Sequence, residues 1–274
     1  MRILFLGDIV GSCGRQLVCD ELPRLRARLE LGAIVVNGEN AAHGFGITEK
    51  IARELIAAGA DAITTGNHLF NRSDASDMLR ESGLPVVRPA NFPPGAPGAG
   101  VVVVNLKNGR RLGVMQMLGR QFMAAMDCPF RAFDAQAPKL AQQVDALVVD
   151  FHAEATSEKV AMGHWLDGRA SLVAGTHTHV PTADWRILPR GTAYITDAGM
   201  CGDYDGVIGM DKTEPLNTFL TGIRHGHLTP AEGPAGLAGV IVDTNDATGL
   251  ARSVESFRFG VGLSPSVNKQ NLSM

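Results

Sequence analysis

The chain has 274 residues, and its 25 Lys+Arg against 28 Asp+Glu leave a net charge of −3. That balance excludes the strongly basic surface that holds a nucleic-acid backbone, so no stable nucleic-acid partner is expected. Apolar residues make up 45%, but no apolar run approaches the roughly 18 residues that span a bilayer, so no membrane partner is expected either.

Residues 2–7 form a short apolar run, read as a strand ending in Gly7-Asp8. It is too short for a secretory signal. Residues 15–31 carry Leu17, Leu22, Leu25 and Leu29 at mostly helical spacing. A second strand is read over 33–37, before Gly38-Glu39-Asn40, and Thr48 is placed to cap a helix that runs to Ala58 and stops at Gly59. A third strand over 61–65 ends in Gly66-Asn67-His68, and a helix follows over 73–82. Short apolar runs alternating with helices predict a parallel sheet of βαβ units.

Beyond Pro85, runs over 101–107 and 111–117 flank Asn108-Gly109, a hairpin signal. Further strands are read over 146–151, before His152, and over 172–174, before Gly175-Thr176-His177-Thr178-His179. Residues 192–196, 236–243 and 252–259 are read as later strands, the last two as a hairpin around Asn245-Asp246. With no low-complexity linker and no fixed repeat, one α/β domain with two sheets is expected over residues 1–274, with 260–274 as a tail.

Five of these strands end in metal-ligand types: Asp8, Glu39-Asn40, Asn67-His68, His152 and His177-x-His179. Each cluster alone reads as a cap, a turn or a structural histidine. Together they matter, because the carboxyl ends of parallel strands converge on one edge, where ligands bind. The His177-x-His179 pair is expected to point one way from an extended segment. Two carboxylates, two amides and four imidazoles suit a transition metal better than magnesium. Eight residues exceed the needs of one octahedral ion; a carboxylate-bridged pair of ions about 3.5–4 Å apart serves phosphate-ester hydrolysis. The leaving alkoxide then takes a proton from a histidine that is not a ligand.

Other residues are set apart from this group. His225-Gly226-His227 follows no clear strand and is read as a surface loop, His164 as structural, and Met115, Met117, Met123 and Met126 as core filling. His43 is open between a site contact and a loop residue. Cys13, Cys19, Cys128 and Cys201 show no CxxC spacing, which points to a reducing, cytoplasmic setting. No G-x-S-x-G elbow and no Walker A sequence is present.

The blocks Gly7-Asp8, Gly38-Glu39-Asn40, Gly66-Asn67-His68, His152 and Gly175-Thr176-His177-Thr178-His179 resemble, in order and spacing, those of the calcineurin-like metallophosphoesterases. Gly7-Asp8-Ile9-Val10-Gly11 and Asn37-Gly38-Glu39-Asn40-Ala41 resemble more narrowly the YmdB-like bacterial phosphodiesterases, over roughly residues 1–262. The broad superfamily has Asp-x-His in its first block, where this chain has Val10, and usually Asp in its second, where this chain has Glu39-Asn40. The narrower pattern resolves both, since Asn40 can take the ligand position that Val10 leaves open.

The resemblance implies two mixed β-sheets sandwiched between helices (αββα). It also implies two metal ions, iron (Fe2+/Fe3+) or manganese, with Asp8, Asn40 and His179 on one and Asn67, His152 and His177 on the other. By the same resemblance Glu39 bridges the ions and His68 donates the proton. The implied activity is a phosphodiesterase opening a small 2′,3′-cyclic nucleotide by a two-metal-activated hydroxide. A phosphomonoesterase, or a regulatory protein with weak activity, is the alternative use of such a centre. A homo-oligomer is left open, with residues 261–274 as a candidate contact.

Overall fold

Strand β1 (Arg2–Val10) is buried along nearly its whole length because both of its faces are covered. Ile3 and Phe5 enter a core between two sheets, while Leu4, Leu6 and Ile9 meet helices on the other side. A strand covered twice has no polar face, which is why it reads as an unbroken apolar run. Helix α1 (Gly11–Arg28) follows without a loop, four residues earlier than the leucine spacing suggests, since Gly11 turns the chain at φ +67°. Strand β2 (Ala33–Asn40) repeats the division, with Ala33 and Val35 inward and Ile34 and Val36 outward.

Helix α2 (Glu49–Ala58) starts where Thr48 Oγ1 accepts the Ile51 N–H and stops at Gly59, at φ +118°. Such a cap contributes about 1 kcal/mol. Strand β3 (Ala62–Thr64) and helix α3 (Ala75–Glu81) complete the first stretch.

The chain then builds a second sheet. Strands β4 (Val101–Asn105) and β5 (Arg111–Leu118) pair antiparallel across the expected hairpin. Helix α4 (Pro129–Ala141), strand β6 (Ala146–His152), helix α5 (Thr156–Trp165) and strand β7 (Leu172–Thr176) follow, then the short strands β8 (Arg186–Ile187) and β9 (Ala193–Ile195). The chain returns to the first sheet through β10 (Met200–Gly202), helix α6 (Thr213–Thr221), β11 (Gly236–Thr244) and β12 (Ala251–Gly260).

The first sheet has the order β12-β11-β10-β1-β2-β3 and the second β4-β5-β6-β7-β9-β8. Each holds parallel strands with antiparallel partners toward its edges. Helices α1, α2 and α3 pack on the outer face of the first sheet, and α4 and α5 on that of the second. The two mixed sheets between helices expected of a metallophosphoesterase fold are therefore present.

We describe residues 1–264 of the chain in a computed structural model; residues 265–274, most of the anticipated tail, lie outside the described residues. No helix among the described residues is long and apolar enough to cross a membrane. Helices α4 and α6 escape the sequence reading for different reasons. Pro138 stands inside α4, and α6 turns Leu216, Phe219 and Leu220 outward, so it has no core-facing stripe.

Candidate metal centre

Parallel strands of both sheets end at one cleft, and β1, β2, β3, β6 and β7 deliver side chains there. Asp8 stands near the end of β1, between two register shifts against β2. Glu39 and Asn40 close β2, Asn67 and His68 follow β3, His152 closes β6, and His177 and His179 follow β7. Asp8, Glu39, Asn40, His152 and His179 are all at most 5% exposed.

His152 is the hub. Its Nε2 lies 3.1 Å from Glu39 Oε1, 2.9 Å from Asn67 Oδ1 and 3.0 Å from His177 Nδ1. Ligand atoms of Glu39, His152 and His177 lie within 4.8 Å of one another. A second group adjoins the first: Asn40 Nδ2 is 3.0 Å from His179 Nε2 and 3.2 Å from Glu39 Oε1, and Asp8 Oδ1 is 4.0 Å from His179 Nε2. Glu39 thus touches both groups. All seven anticipated ligands meet in this cleft. His68 borders it, its backbone N–H donating to Glu39 Oε2 at 3.3 Å and its ring edge-on to Phe45 at 5.0 Å.

Each of the three histidines has its outer nitrogen tied to an acceptor. His152 Nδ1–H donates to Thr176 Oγ1 at 2.8 Å, and that hydroxyl donates to Asp150 Oδ1 at 2.6 Å. His179 Nδ1–H donates to the Ile208 carbonyl at 2.7 Å, and His177 Nε2 is 3.2 Å from Glu154 Oε2. An acceptor on one ring nitrogen fixes the tautomer and turns the lone pair of the other toward the centre. His152 Nε2, His177 Nδ1 and His179 Nε2 therefore converge as donors of lone pairs.

The residues fit metal ions on a further observation. Buried Asp8 Oδ1 and Asn40 Oδ1 have no hydrogen-bond partner among the described residues, a costly state for a buried carboxylate or amide oxygen unless a cation satisfies it. The electrostatics agree. Burial opposes charge on His152, but Glu39, Asp8 and Asp150 outweigh it and hold the imidazolium up to about 9. Burial likewise opposes the Glu39 carboxylate, but His152, His68 and His177 hold it down to about 2. Burial pushes Asp8 up to about 6 and, with His152 beside it, His177 down to about 3. Burial also lowers His68. At His152 the cleft favours positive charge, and a proton and a metal are alternatives at the same nitrogen.

The backbone carries the strain of this arrangement. His177 has φ +99° and His179 φ +66°, so the two do not share a face of an extended segment as alternation suggests. They diverge instead, one toward His152 and the other toward Asn40. Ile208, whose carbonyl holds His179, has φ +47°, a conformation that costs a β-branched residue about 1–3 kcal/mol. Asp197 secures the loop after β7 by accepting from Thr178 N at 3.1 Å and Thr178 Oγ1 at 2.6 Å. Its charge is met by the buried Lys159 Nζ at 2.7 Å. A Cβ at Gly66 would run into the Glu39 carboxylate and lie 2.7 Å from His152 Nε2, so only glycine allows this approach.

Sequence reasoning missed Glu154, Asp150, Thr176, Asp197 and Lys159, although Asp150 breaks an apolar strand and so carried a signal. Val10 packs with Met200 and Met210 and takes no part. His43 is exposed and does not line the cleft, and His164, His225 and His227 are exposed as well. Cys13 and Cys201 donate to the carbonyls of Ala231 and Ala238. Outside the centre the cleft widens to a cavity of about 570 Å3, with Phe45, Ile208, Phe219 and Arg224 in its walls.

The chain is 49% identical over 256 residues to the 2′,3′-cyclic-nucleotide 2′-phosphodiesterase of Bacillus subtilis, covering 93% of this chain and 96% of that protein. It resembles the crystal structure of a novel phosphatase of Mycoplasma pneumoniae with a TM-score of 0.87 at 32% identity, over 99% of this chain and 96% of that one. A hypothetical protein from Thermus thermophilus matches with a TM-score of 0.86 at 40% identity, over 95% and 99% of the two chains. The family described as YmdB-like protein matches residues 4–257, and with nearly the whole chain so covered, the protein belongs to the YmdB-like family.

Proposed function

We propose that the chain is a metal-dependent phosphodiesterase that opens 2′,3′-cyclic nucleotides. The observation that carries this reading is the convergence of two tautomer-fixed imidazoles, His152 and His177, on Glu39, with a third, His179, beside the unpartnered oxygens of Asp8 and Asn40. Asp8, Asn40 and His179 would hold one ion and Asn67, His152 and His177 the other, with Glu39 between them. Iron and manganese are the metals that the family resemblance implies, and a mixture of imidazole, amide and carboxylate accepts either. Two such ions, when bound, supply electrophilic activation of phosphate oxygens and of a water.

The protein's own part is positional. Thr176, Ile208 and Glu154 hold the three rings. The side-chain amide of Asn71 lies 3.3 Å from His68 Nδ1 and orients the ring. In its imidazolium form His68 gives a ring proton to the departing ribose oxygen and is left neutral, as water oxygen bonds to phosphorus and the five-membered phosphate ring opens to a monoester. The activity is assigned to the reducing cytoplasm, supported by four free thiols.

The test is elemental analysis of the purified protein with a panel of monoesters, linear diesters and cyclic diesters. The expected result is about two transition-metal ions per chain and a preference for cyclic diesters, with Glu39→Gln losing metal and turnover together. A clear preference for a monoester overturns the diesterase reading. Unchanged metal content in Glu39→Gln overturns the bridging role.

A further inference from the structure

Helix α6 exposes three large apolar side chains, and Ile223 just beyond it is a fourth; only one of the four lines the cavity above the metal centre. Leu216, Leu220 and Ile223 face elsewhere, whereas Phe219, 81% exposed, shares the cavity with Glu39, His68, His177 and His179. Its ring is too exposed to be held there by the core. Arg224, on the turn after α6, is the one Lys or Arg among the residues lining this cavity. Its Nε–H donates to the Gly226 carbonyl at 3.0 Å, which ties the planar end of the side chain to the turn. The cavity thus has a polar floor with ligand-type residues and, beside it, an aromatic ring and a guanidinium.

A cyclic phosphate is fused to its ribose, so a substrate whose phosphate lies on that floor carries its base only a sugar ring away, within reach of the cavity walls. The volume of about 570 Å3 lies in the range of roughly 300–1,000 Å3 typical of small-molecule sites. Aromatic rings and guanidinium planes are the surfaces on which unpaired bases stack, with little regard to base identity. We propose that Phe219 and Arg224 form the nucleobase subsite of this centre, an assignment that rests on the cyclic-nucleotide reading above. The subsite binds a purine or a pyrimidine by its face, so it confers a requirement for a base and not a choice among bases.

The experiment compares KM and kcat of the metal-loaded protein and its Phe219→Ala, Phe219→Tyr and Arg224→Ala variants. The substrates are the four 2′,3′-cyclic nucleotides and methyl riboside 2′,3′-cyclic phosphate, which carries no base. Phe219→Ala is expected to raise KM about 10-fold or more for all four nucleotides, with kcat and metal content held and the rise confined to substrates with a base. Phe219→Tyr, which keeps the stacking face, is expected to restore KM. Equal effects on the abasic phosphate, or none on the nucleotides, overturn the subsite alone. Failure of the unaltered protein to open either kind of cyclic phosphate overturns the reading of the centre and the subsite with it.

Discussion

His68 differs from the other three histidines of the cleft in having no contact to their inward nitrogens. Its backbone holds Glu39, while its ring rests against Phe45 with Nδ1 facing Asn71. His68→Ala is therefore expected to keep its metal, read by elemental analysis, while kcat falls by about 10²–10⁴-fold. A loss of metal in that variant would show the ring to be a ligand. The ligand-type residues themselves were legible as a set, because one polar cluster at a strand end passes for a cap or a turn and five at strand ends that converge do not. Their partners were not. Thr176 is in plain view between Gly175 and His177, but its use depends on standing opposite His152 in the pairing of β6 with β7, and register cannot be seen in one strand.

The loop after β7 departs from strand geometry, and a neighbouring element compensates. Lys159 reaches from α5 through the second sheet's helical face to Asp197, and Asp197 in turn holds Thr178 between the two histidines. Both charged groups are at most 1% exposed. Lys159→Met leaves Asp197 buried and uncompensated, so unfolding in denaturant is expected to show a loss of about 3–5 kcal/mol. The folded variant should also release metal to a chelator about 10–100-fold more readily. Lower stability with unchanged metal retention would make the pair a scaffold only. The helical spacing of leucines and the Thr48 cap made α1 and α2 readable, whereas the positive φ of His177 and His179 left no trace in composition. Only a few per cent of residues other than glycine adopt that conformation, and alternation along an extended segment was the more economical expectation. Helix α6 was hidden for the opposite reason, since its apolar residues face the solvent and the cavity and not the core.

The centre lies where the carboxyl ends of both sheets meet, so its occupant acts on the stability of the whole molecule. In metal-free protein His152 keeps its proton up to about pH 9, whereas an ordinary histidine in the unfolded chain releases it near 6.5. The folded state thus binds the extra proton between these values, and stability falls as pH rises across that window. The contribution is fully present below 6.5. Metal-free protein is expected to lose melting temperature steadily from pH 7 to 9. Protein with metal at 100 times its Kd should gain about 2.7 kcal/mol and melt with little dependence on pH in that range. A metal-free melting curve that is flat from pH 7 to 9 would refute the proton at His152. The two sheets and their covering helices were foreseeable from chain order, because parallel strands need crossovers and crossovers cover faces. The late return to the first sheet was not, since no local signal says which sheet a strand such as β10 joins.

That return has a consequence for how the protein is made. Of the described strands β1 is the first to leave the ribosome, yet two of its neighbours, β10 and β11, follow the whole second sheet, with Arg2 opposite Asp243 and Asp8 opposite Met200. Through most of synthesis β1 has an open flank, and the sheet that carries Asp8 and Glu39 stays unfinished while the sheet that carries His152 and His177 is already complete. Contacts of such sequence separation form slowly and only when the intervening chain is in place. Among the described residues the centre is accordingly one of the last parts to be assembled, and a nascent chain cannot present its ligand groups as a set until β10 and β11 have emerged.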